Sequence, residues 1–303
     1  MPLIPRKSLS QPTGRPPAAV ELTPLGVLAA ALPGGGAAAV VAFEPLPAGA
    51  LAPGINSVNF AAPDAVAGAI RKALDQVEPR KRSISVILPD TSVRVFVLDF
   101  DSLPAKPADA ISVLRFRLRK MVPFDVEHAG VSYQTLAQDK AGCRVLAAII
   151  PAPILAEYEA AVHAAAYEPG AILPASLAAL ATVDAAEPVL AACLNEESLT
   201  TAIAHGNDLL LYRTLDLPAE PGLRLAEVQR DIAVAAAYFE DKLSMRPTSL
   251  RYAGRGTAGD FARWIGETEM TVVDLAPRPE TGAATALGNV SLSGVTGALA
   301  GVA

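Results

Sequence analysis

The chain has 303 residues, a formal net charge of −6 and a hydrophobic fraction of 51%. This length is sufficient for two lobes with a sizeable core. The acidic balance argues against a nucleic-acid-binding protein, because such proteins normally carry a surplus of basic residues. Only 5% of the residues are aromatic, so the packing of helices must depend mainly on Ala, Leu and Val.

The apolar stretches of the sequence do not meet the requirements of a membrane-spanning helix. Residues 20–43 are interrupted by Pro24, Pro33 and three consecutive glycines, whereas a span needs about 20 predominantly apolar residues. Residues 288–303 are only weakly apolar and contain four glycines. The first 17 residues lack the apolar segment of a signal peptide. We therefore expect a cytoplasmic protein.

The first 90 residues are predicted to form a disordered arm, residues 1–17, followed by a first lobe, residues 18–90. Pro63 and Asp64 mark the start of a helix, because Pro is tolerated in a first turn and Asp complements the helix dipole. The predicted order is β-β-β-α-β. The predicted strands are 18–22, 27–31, 37–43 and 84–88, with a turn at 34–36 and the helix at 63–77.

Residues 91–150 are predicted to form a subdomain inserted into the first lobe, with a basic helix at its centre. Pro123 ends this helix. Its apolar residues recur at helical spacing and are expected to face a core. These residues are Ile111, Leu114, Leu118 and Met121. The predicted strands of the insertion are 93–100, 130–138 and 144–150.

Four basic residues follow one another in the last turns of the predicted helix: Arg115, Arg117, Arg119 and Lys120. The negative end of the helix dipole favours positive charge there. The patch has two interpretations. It is either a contact for a partner or a lipid, or a solvated helix end whose long side chains lie along the surface.

The pattern restarts after residues 151–183, which are predicted to return to the first lobe. Residues 184–303 are predicted to form a second lobe of the same plan. Its predicted elements are strands at 189–194, 199–204 and 209–215 with a hairpin turn at 206–208, a helix at 223–243, a strand at 249–252, a short helix at 260–265 and a strand at 271–273. Two β-β-β-α-β units in one chain predict an internal duplication. This is the α/β plan of the actin-like (ribonuclease-H-like) fold.

Several segments resemble the type IV pilus assembly protein PilM family, which is close to the cytoplasmic domain of the type II secretion protein GspL. They are Ile84–Asp90, the helix end Arg119–Phe124, Val131–Tyr133 and the Pro-Leu-Pro loop Glu44–Gly49. The resemblance covers about residues 18–302. It implies a cytoplasmic, actin-like scaffold at the inner membrane, serving a pilus or a type II secretion platform.

The resemblance also implies a partner. PilM-like proteins are expected to bind the N-terminal cytoplasmic peptide of a PilN-like bitopic membrane protein. The peptide groove would lie between the first lobe and its insertion, near residues 84–136. The candidate partner-binding residues there are Arg115, Arg119, Phe124 and Tyr133.

In actin-like proteins the nucleotide phosphates lie between two hairpins that each begin Asp-x-Gly. The carboxylate holds the magnesium shell, and the glycine lets backbone N–H groups approach the phosphates. The first hairpin here has Glu21 for the aspartate, Thr23 for the glycine and Leu28 for a lysine. The second has Cys193 for the aspartate and Asn195 for the glycine. The loss of several donors is expected to weaken ATP binding from micromolar to about millimolar or worse.

The sequence therefore predicts a degenerate site with no catalytic residue, no cofactor and no metal. The alternative is an active actin-like or sugar-kinase-like protein that binds ATP and magnesium. In that case the nucleotide ligands would be Glu21, Thr23, Asn195, Gly254, Gly256 and Thr257. The segment Ala253–Thr257 keeps the glycine pattern of an adenosine loop, although the same pattern also forms a plain turn.

The remaining chemistry-bearing residues do not form a recognisable site. His128, His163 and His205 lie in unrelated predicted elements, without the spacing of a metal site. No Gly-x-Ser-x-Gly motif supports a hydrolase. Cys143 and Cys193 lie in apolar runs, so we expect two buried free thiols rather than a disulfide.

Overall fold

The computed structural model describes residues 14–33, 38–140, 142–183, 187–206, 208–276 and 290–300. Three sequence-based expectations concern residues outside this part of the chain. They are most of the predicted arm, the predicted turn at 34–36, and Asn207 of the predicted hairpin turn.

A five-stranded mixed sheet forms the centre of the first lobe. Its strands are β1 (Ala18–Thr23), β2 (Gly26–Ala31), β3 (Val40–Pro45), β4 (Ser83–Leu88) and β8 (Glu168–Pro174). They lie in the order β3-β2-β1-β4-β8, with β1 antiparallel to β2 and parallel to β4. The central strands are buried along nearly their whole length. Their continuous apolar sequence reflects the fact that both faces of the sheet are covered.

Helices α1 (Pro63–Val77) and α3 (Ala152–Ala164) cover one face of this sheet. The apolar side chains of α1 recur every three or four residues and are buried, as the predicted helix at 63–77 requires. Tyr158 of α3 is fully buried beside Phe60, with ring centroids 4.8 Å apart in an edge-to-face arrangement. This face contains the largest hydrophobic cluster of the molecule.

The second lobe repeats the arrangement of the first. Its strands are β9 (Val189–Leu194), β10 (Ser198–His205), β11 (Asp208–Asp216), β12 (Ser249–Gly254) and β13 (Thr271–Asp274). They lie in the order β11-β10-β9-β12-β13, with β9 antiparallel to β10 and parallel to β12. Helices α5 (Pro221–Leu243) and α6 (Ala258–Ile265) pack on this sheet. The repeated strand order confirms the predicted duplication and the actin-like fold class.

The insertion between β4 and α3 is a separate antiparallel sheet of three strands. These are β5 (Arg94–Phe100), β6 (Ala129–Gln138) and β7 (Cys143–Pro151), in the order β5-β7-β6. Helix α2 (Pro107–Leu118) covers one face through Leu114 and Leu118. The opposite face joins the main core through Val95, Leu146 and Ala148. Helix α2 is therefore the outermost layer of the insertion.

The basic helix differs from its prediction at its carboxyl end. It ends at Leu118, and the Met121 N–H donates to the Leu118 carbonyl at 2.8 Å in a tighter turn. The prediction that Met121 faces the core is wrong, because its side chain is 40% exposed. Val122 occupies the buried position instead. Lys120 consequently lies beyond the end of the helix.

The second face of the first-lobe sheet is covered by α4 (Ala175–Leu180) and by α7 (Ser293–Ala300). The sequence did not predict α7, and residues 184–303 were all assigned to the second lobe. Instead, Val295, Ala298 and Leu299 of this helix pack on the first-lobe sheet. Arg15 donates to the Gly297 carbonyl at 3.1 Å near the carboxyl end of the helix.

Side chains from the second lobe complete the core of the first lobe and its insertion. Ala202, Leu209 and Tyr212 belong to the same buried cluster as Val95 and Leu146. Two ion pairs also join β5 and β7 of the insertion to β11. They are Arg94–Asp216 at 2.9 Å and Arg144–Asp208 at 3.2 Å. One buried cluster is therefore shared by the two lobes and the insertion.

Candidate functional site

The cleft between the two lobes contains a cluster of polar side chains centred on Asp90. This residue lies two positions after the end of β4, at the carboxyl end of that strand. Its carboxylate is 2% exposed and accepts hydrogen bonds from both lobes. Ser176 of the first lobe donates its N–H at 3.1 Å and its hydroxyl at 2.6 Å. From the second lobe, Asn195 donates its side-chain amide at 2.7 Å and Tyr212 its hydroxyl at 3.4 Å.

The Asp90 carboxylate therefore occupies the position in which these donors could otherwise hold an external anion. The Ser176 N–H lies in the first turn of α4, where the helix dipole favours negative charge. Burial raises the pKa of Asp90 to about 6, although its four hydrogen-bond donors oppose the shift. The carboxylate thus links the lobes by using the donors that line the base of the cleft.

Glu21, predicted at the metal-facing position, lies on β1 and is 6% exposed. The Val295 N–H of α7 donates to it, whereas its Oε2 atom has no hydrogen-bond partner among the described residues. Burial, together with the nearby charges of Asp90 and Glu196, raises the pKa of Glu21 to about 8. A carboxyl group that is largely protonated at neutral pH is a poor ligand for the water shell of a magnesium ion.

The other replaced hairpin residues have structural partners. The Thr23 hydroxyl donates to the Gly26 carbonyl at 3.0 Å and closes the β1–β2 turn. Leu28 is fully buried under α7. Cys193 is buried in an apolar cluster, and burial raises the pKa of its thiol to about 12. Cys143 is also a buried free thiol, so the expectation for both cysteines is confirmed.

The glycine-containing segment after β12 caps a helix. The Thr257 hydroxyl accepts from the Asp260 N–H at 3.1 Å, and the Thr257 N–H donates back to the Asp260 carboxylate at 2.9 Å. This is a capping box at the start of α6. Gly256 has a φ of +71°, a left-handed conformation that favours glycine. A Cβ atom added at Gly254 would overlap the Tyr252 hydroxyl.

A groove of about 620 Å³ opens between the lobes next to the β9–β10 turn. Its first-lobe wall includes the loop at residues 53–56, and its charged residues are Arg94, Glu196, Glu197, Asp216 and Arg224. Both arginines have protein partners, since Arg94 pairs with Asp216 and Arg224 donates to the Asn195 carbonyl at 2.8 Å. Glu196 and Glu197 make this turn acidic, in a place where an ATP-binding hairpin presents backbone donors.

The predicted partner-binding residues all lie on the insertion, but they differ in accessibility. The guanidinium of Arg115 donates to the Ala129 carbonyl at 2.8 Å and ties α2 to β6. Phe124 and Tyr133 are half-buried and pack against the core beneath α2. Arg119 is exposed and pairs with Glu127. Only Arg119 of this set is presented fully at the surface.

Sequence reasoning named Asn195 but missed Asp90, Ser176 and Tyr212. The sequence contained one signal for Asp90. A carboxylate just after a buried parallel strand lies at the carboxyl end of the sheet, where α/β proteins place their ligand sites. Its partners are 86 to 122 residues away along the chain. No local pattern connects them.

The residues that the structure describes contain no group of three or more His, Cys, Asp or Glu side chains arranged to hold a metal ion. Within the same residues, no helix has both the length and the apolar character of a bilayer span.

A comparison with solved structures identifies the architecture. A chain of a PilM–PilN type IV pilus biogenesis complex superposes with a TM-score of 0.73 and 18% sequence identity. The match covers 97% of this chain and 100% of that chain. This chain has the fold of that chain. The PilM-like fold includes the two duplicated lobes and the insertion, which were predicted from the order of elements.

Weaker likenesses to other structures include the following two. One is the cytoplasmic domain of EpsL, an inner-membrane component of the type II secretion system of Vibrio cholerae. It has a TM-score of 0.49 and 12% sequence identity, and the match covers 78% of this chain and 81% of that chain. A Bacteroides thetaiotaomicron VPI-5482 protein with an actin-like ATPase fold has a TM-score of 0.49 and 10% identity over 84% of this chain and 88% of its own. No protein-family model and no curated protein matches the sequence.

Proposed function

We propose that this chain is a non-catalytic, actin-like scaffold of a type IV pilus or type II secretion inner-membrane platform. It resides in the cytoplasm and is held at the inner membrane by a PilN-like membrane protein, whose cytoplasmic tail it binds. Its interlobe cleft does not bind ATP.

The observation that carries the non-catalytic part of the proposal is the occupation of the cleft by Asp90. A triphosphate needs several convergent hydrogen-bond donors and usually a magnesium ion. Here the donors of Ser176, Asn195 and Tyr212 converge on a carboxylate of the protein itself. A phosphate placed there would meet the negative charge of Asp90 and would have to displace these hydrogen bonds.

The surrounding charge supports the same conclusion. Glu196 and Glu197 line the groove beside the β9–β10 turn, and both arginines of that groove are engaged. Burial raises the pKa of Glu197, and the nearby charges of Glu196 and Asp216 contribute to the rise. Carboxylates that already repel one another disfavour the approach of a polyanion.

Isothermal titration of the full chain with Mg-ATP tests the proposal. We expect no saturable heat below millimolar nucleotide, because the loss of several charged hydrogen bonds costs on the order of 1–3 kcal/mol each. A micromolar dissociation constant that the Asn195→Ala substitution weakens at least tenfold would establish the alternative, an ATP-binding protein. The matched control is Asn56→Ala, which removes an exposed amide at the far wall of the groove.

The partner is tested with a labelled peptide from the N-terminus of a PilN-like protein encoded beside this chain. We expect saturable binding by fluorescence polarisation, weakened by Arg119→Glu because Arg119 is the exposed cation of the predicted site. Arg80→Glu is the control, as it changes the net charge equally on a distant exposed loop. Equal affinity of both variants would exclude Arg119 from the interface. Arg115 is unsuitable for this test, since its loss would also remove the contact with Ala129.

A further inference from the structure

The outward face of α2 and the turn after it combine exposed apolar and basic side chains. Phe116 is 69% exposed, which makes it the most exposed aromatic residue in the described part of the chain. Arg117 lies next to it on the helix, and the exposed Lys120 and Met121 lie in the turn that follows the helix. We call Phe116, Arg117, Lys120 and Met121 the α2 patch.

The cations of the α2 patch are uncompensated. The neighbouring acidic residues are engaged elsewhere, since Glu127 pairs with Arg119 and Asp125 pairs with His128. Among the described residues, Arg117 and Lys120 have no ion-pair partner, and both are exposed. The whole chain has a formal charge of −6, so this positive patch is a local feature and not part of a generally basic surface.

The position of the α2 patch suits contact with a flat surface. Helix α2 is the outermost layer of the insertion, because the other face of the three-stranded sheet is buried in the main core. Phe116 points away from the buried side chains Leu114 and Leu118. An exposed aromatic side chain on this outer helix is available to enter an external surface.

We propose that the α2 patch contacts the surface of an anionic lipid bilayer. The cations are attracted to acidic headgroups, and Phe116 and Met121 enter the boundary between the headgroups and the acyl chains. An acidic peptide is the less favoured occupant, since peptide recognition normally uses a groove, whereas these side chains are exposed on an outer helix and the turn after it. The contact is weak by itself and orients the insertion towards the membrane. This inference does not depend on the proposed partner or on the state of the cleft.

The test is co-sedimentation of the full chain with vesicles of phosphatidylcholine alone or of phosphatidylcholine containing phosphatidylglycerol. We expect binding only to the anionic vesicles, and a loss of that binding at high salt because surface charges are then screened. Arg117→Glu/Lys120→Glu and Phe116→Ser should each lower the partition coefficient about tenfold. All three positions are exposed, so these variants are expected to retain the thermal stability of the wild-type chain.

The control is Arg80→Glu/Lys81→Glu, which makes the same charge change on the exposed loop after α1. It should bind anionic vesicles nearly as well as the wild type. The inference is overturned if the wild-type chain does not bind anionic vesicles, or if the control loses binding as strongly as the patch variants. It is also overturned if the patch variants keep vesicle binding and lose only the binding of a PilN-like peptide, which would make the patch a peptide site.

Discussion

At the scale of single residues, two buried carboxyl groups determine the electrostatics of the cleft. Glu21 and Asp90 both have a raised pKa, and the main cause in each case is burial away from water. The negative charge of Asp90 also contributes to the raised pKa of Glu21. The neutral form of Glu21 is therefore stabilised by folding, and its ionised form is destabilised.

This state of Glu21 predicts the direction of a pH effect on stability. The folded protein holds the Glu21 proton up to about pH 8, whereas the unfolded chain releases it near its ordinary pKa of 4.5. The stability that the protonated group provides is complete below 4.5 and is lost as the pH rises towards 8. Glu21→Gln imitates the protonated acid. We expect the variant to equal the wild type at about pH 5 and to exceed it at about pH 8.

The measurement is the free energy of unfolding in urea at several pH values. Glu267→Gln is the control, because Glu267 is exposed and its replacement should leave the pH dependence of the wild type unchanged. If the difference between Glu21→Gln and the wild type did not grow with pH, Glu21 would be ionised in the folded protein.

At the scale of elements, α7 depends on a close approach to α4. A Cβ atom at Gly297 would overlap the carbonyl oxygen of Ala178, so only glycine fits at this crossing. The helix is otherwise made of small residues and buries Val295, Ala298 and Leu299. Its stability comes from this packing, because a helix of eight residues is not stable alone.

Two glycines in helices are predicted to respond oppositely to the same substitution. Gly297→Ala should destabilise the protein by about 1–3 kcal/mol, because it overpacks the α4–α7 crossing. Gly68→Ala in α1 should stabilise it by roughly 0.5–1 kcal/mol, since an added Cβ meets no atom within 4 Å and alanine favours a helix. Urea unfolding of both variants provides the comparison. Equal effects would mean that α7 does not lie against α4.

The elements differ in how well their sequence predicts them. Helix α1 matches its prediction because Pro63, Asp64 and a regular apolar period all act locally. Met121 was misplaced because the helical period was continued past Leu118, where the backbone tightens. Helix α7 has no local signal, since its small residues are buried by contacts with distant parts of the chain. The same reason explains why Asp90 was missed, as its hydrogen-bond donors come from three distant elements.

At the scale of the whole molecule, the shared core implies cooperative unfolding. Tyr212 of the second lobe lies in the first-lobe core, and its hydroxyl reaches Asp90. The ion pairs Arg94–Asp216 and Arg144–Asp208 connect the insertion to β11. If one lobe unfolded alone, it would expose apolar surface on the other lobe. We therefore expect one unfolding transition instead of two.

Two natural probes can test this expectation. Trp264 is the single tryptophan of the chain and lies on α6 of the second lobe. Cys143 is a buried thiol of the insertion. In a Cys193→Ala background, tryptophan fluorescence and the reactivity of the Cys143 thiol should give the same urea midpoint. Midpoints that differ reproducibly would show that the lobes unfold independently.

The hydrogen bond from Arg15 to the Gly297 carbonyl of α7 joins groups 282 residues apart along the chain. Ala19, Leu28 and Ile87 are synthesised long before the helix that shields them. A nascent first lobe therefore keeps one apolar face exposed until α7 has been synthesised. Such a chain is expected to fold slowly and to need chaperone protection until α7 packs on that face.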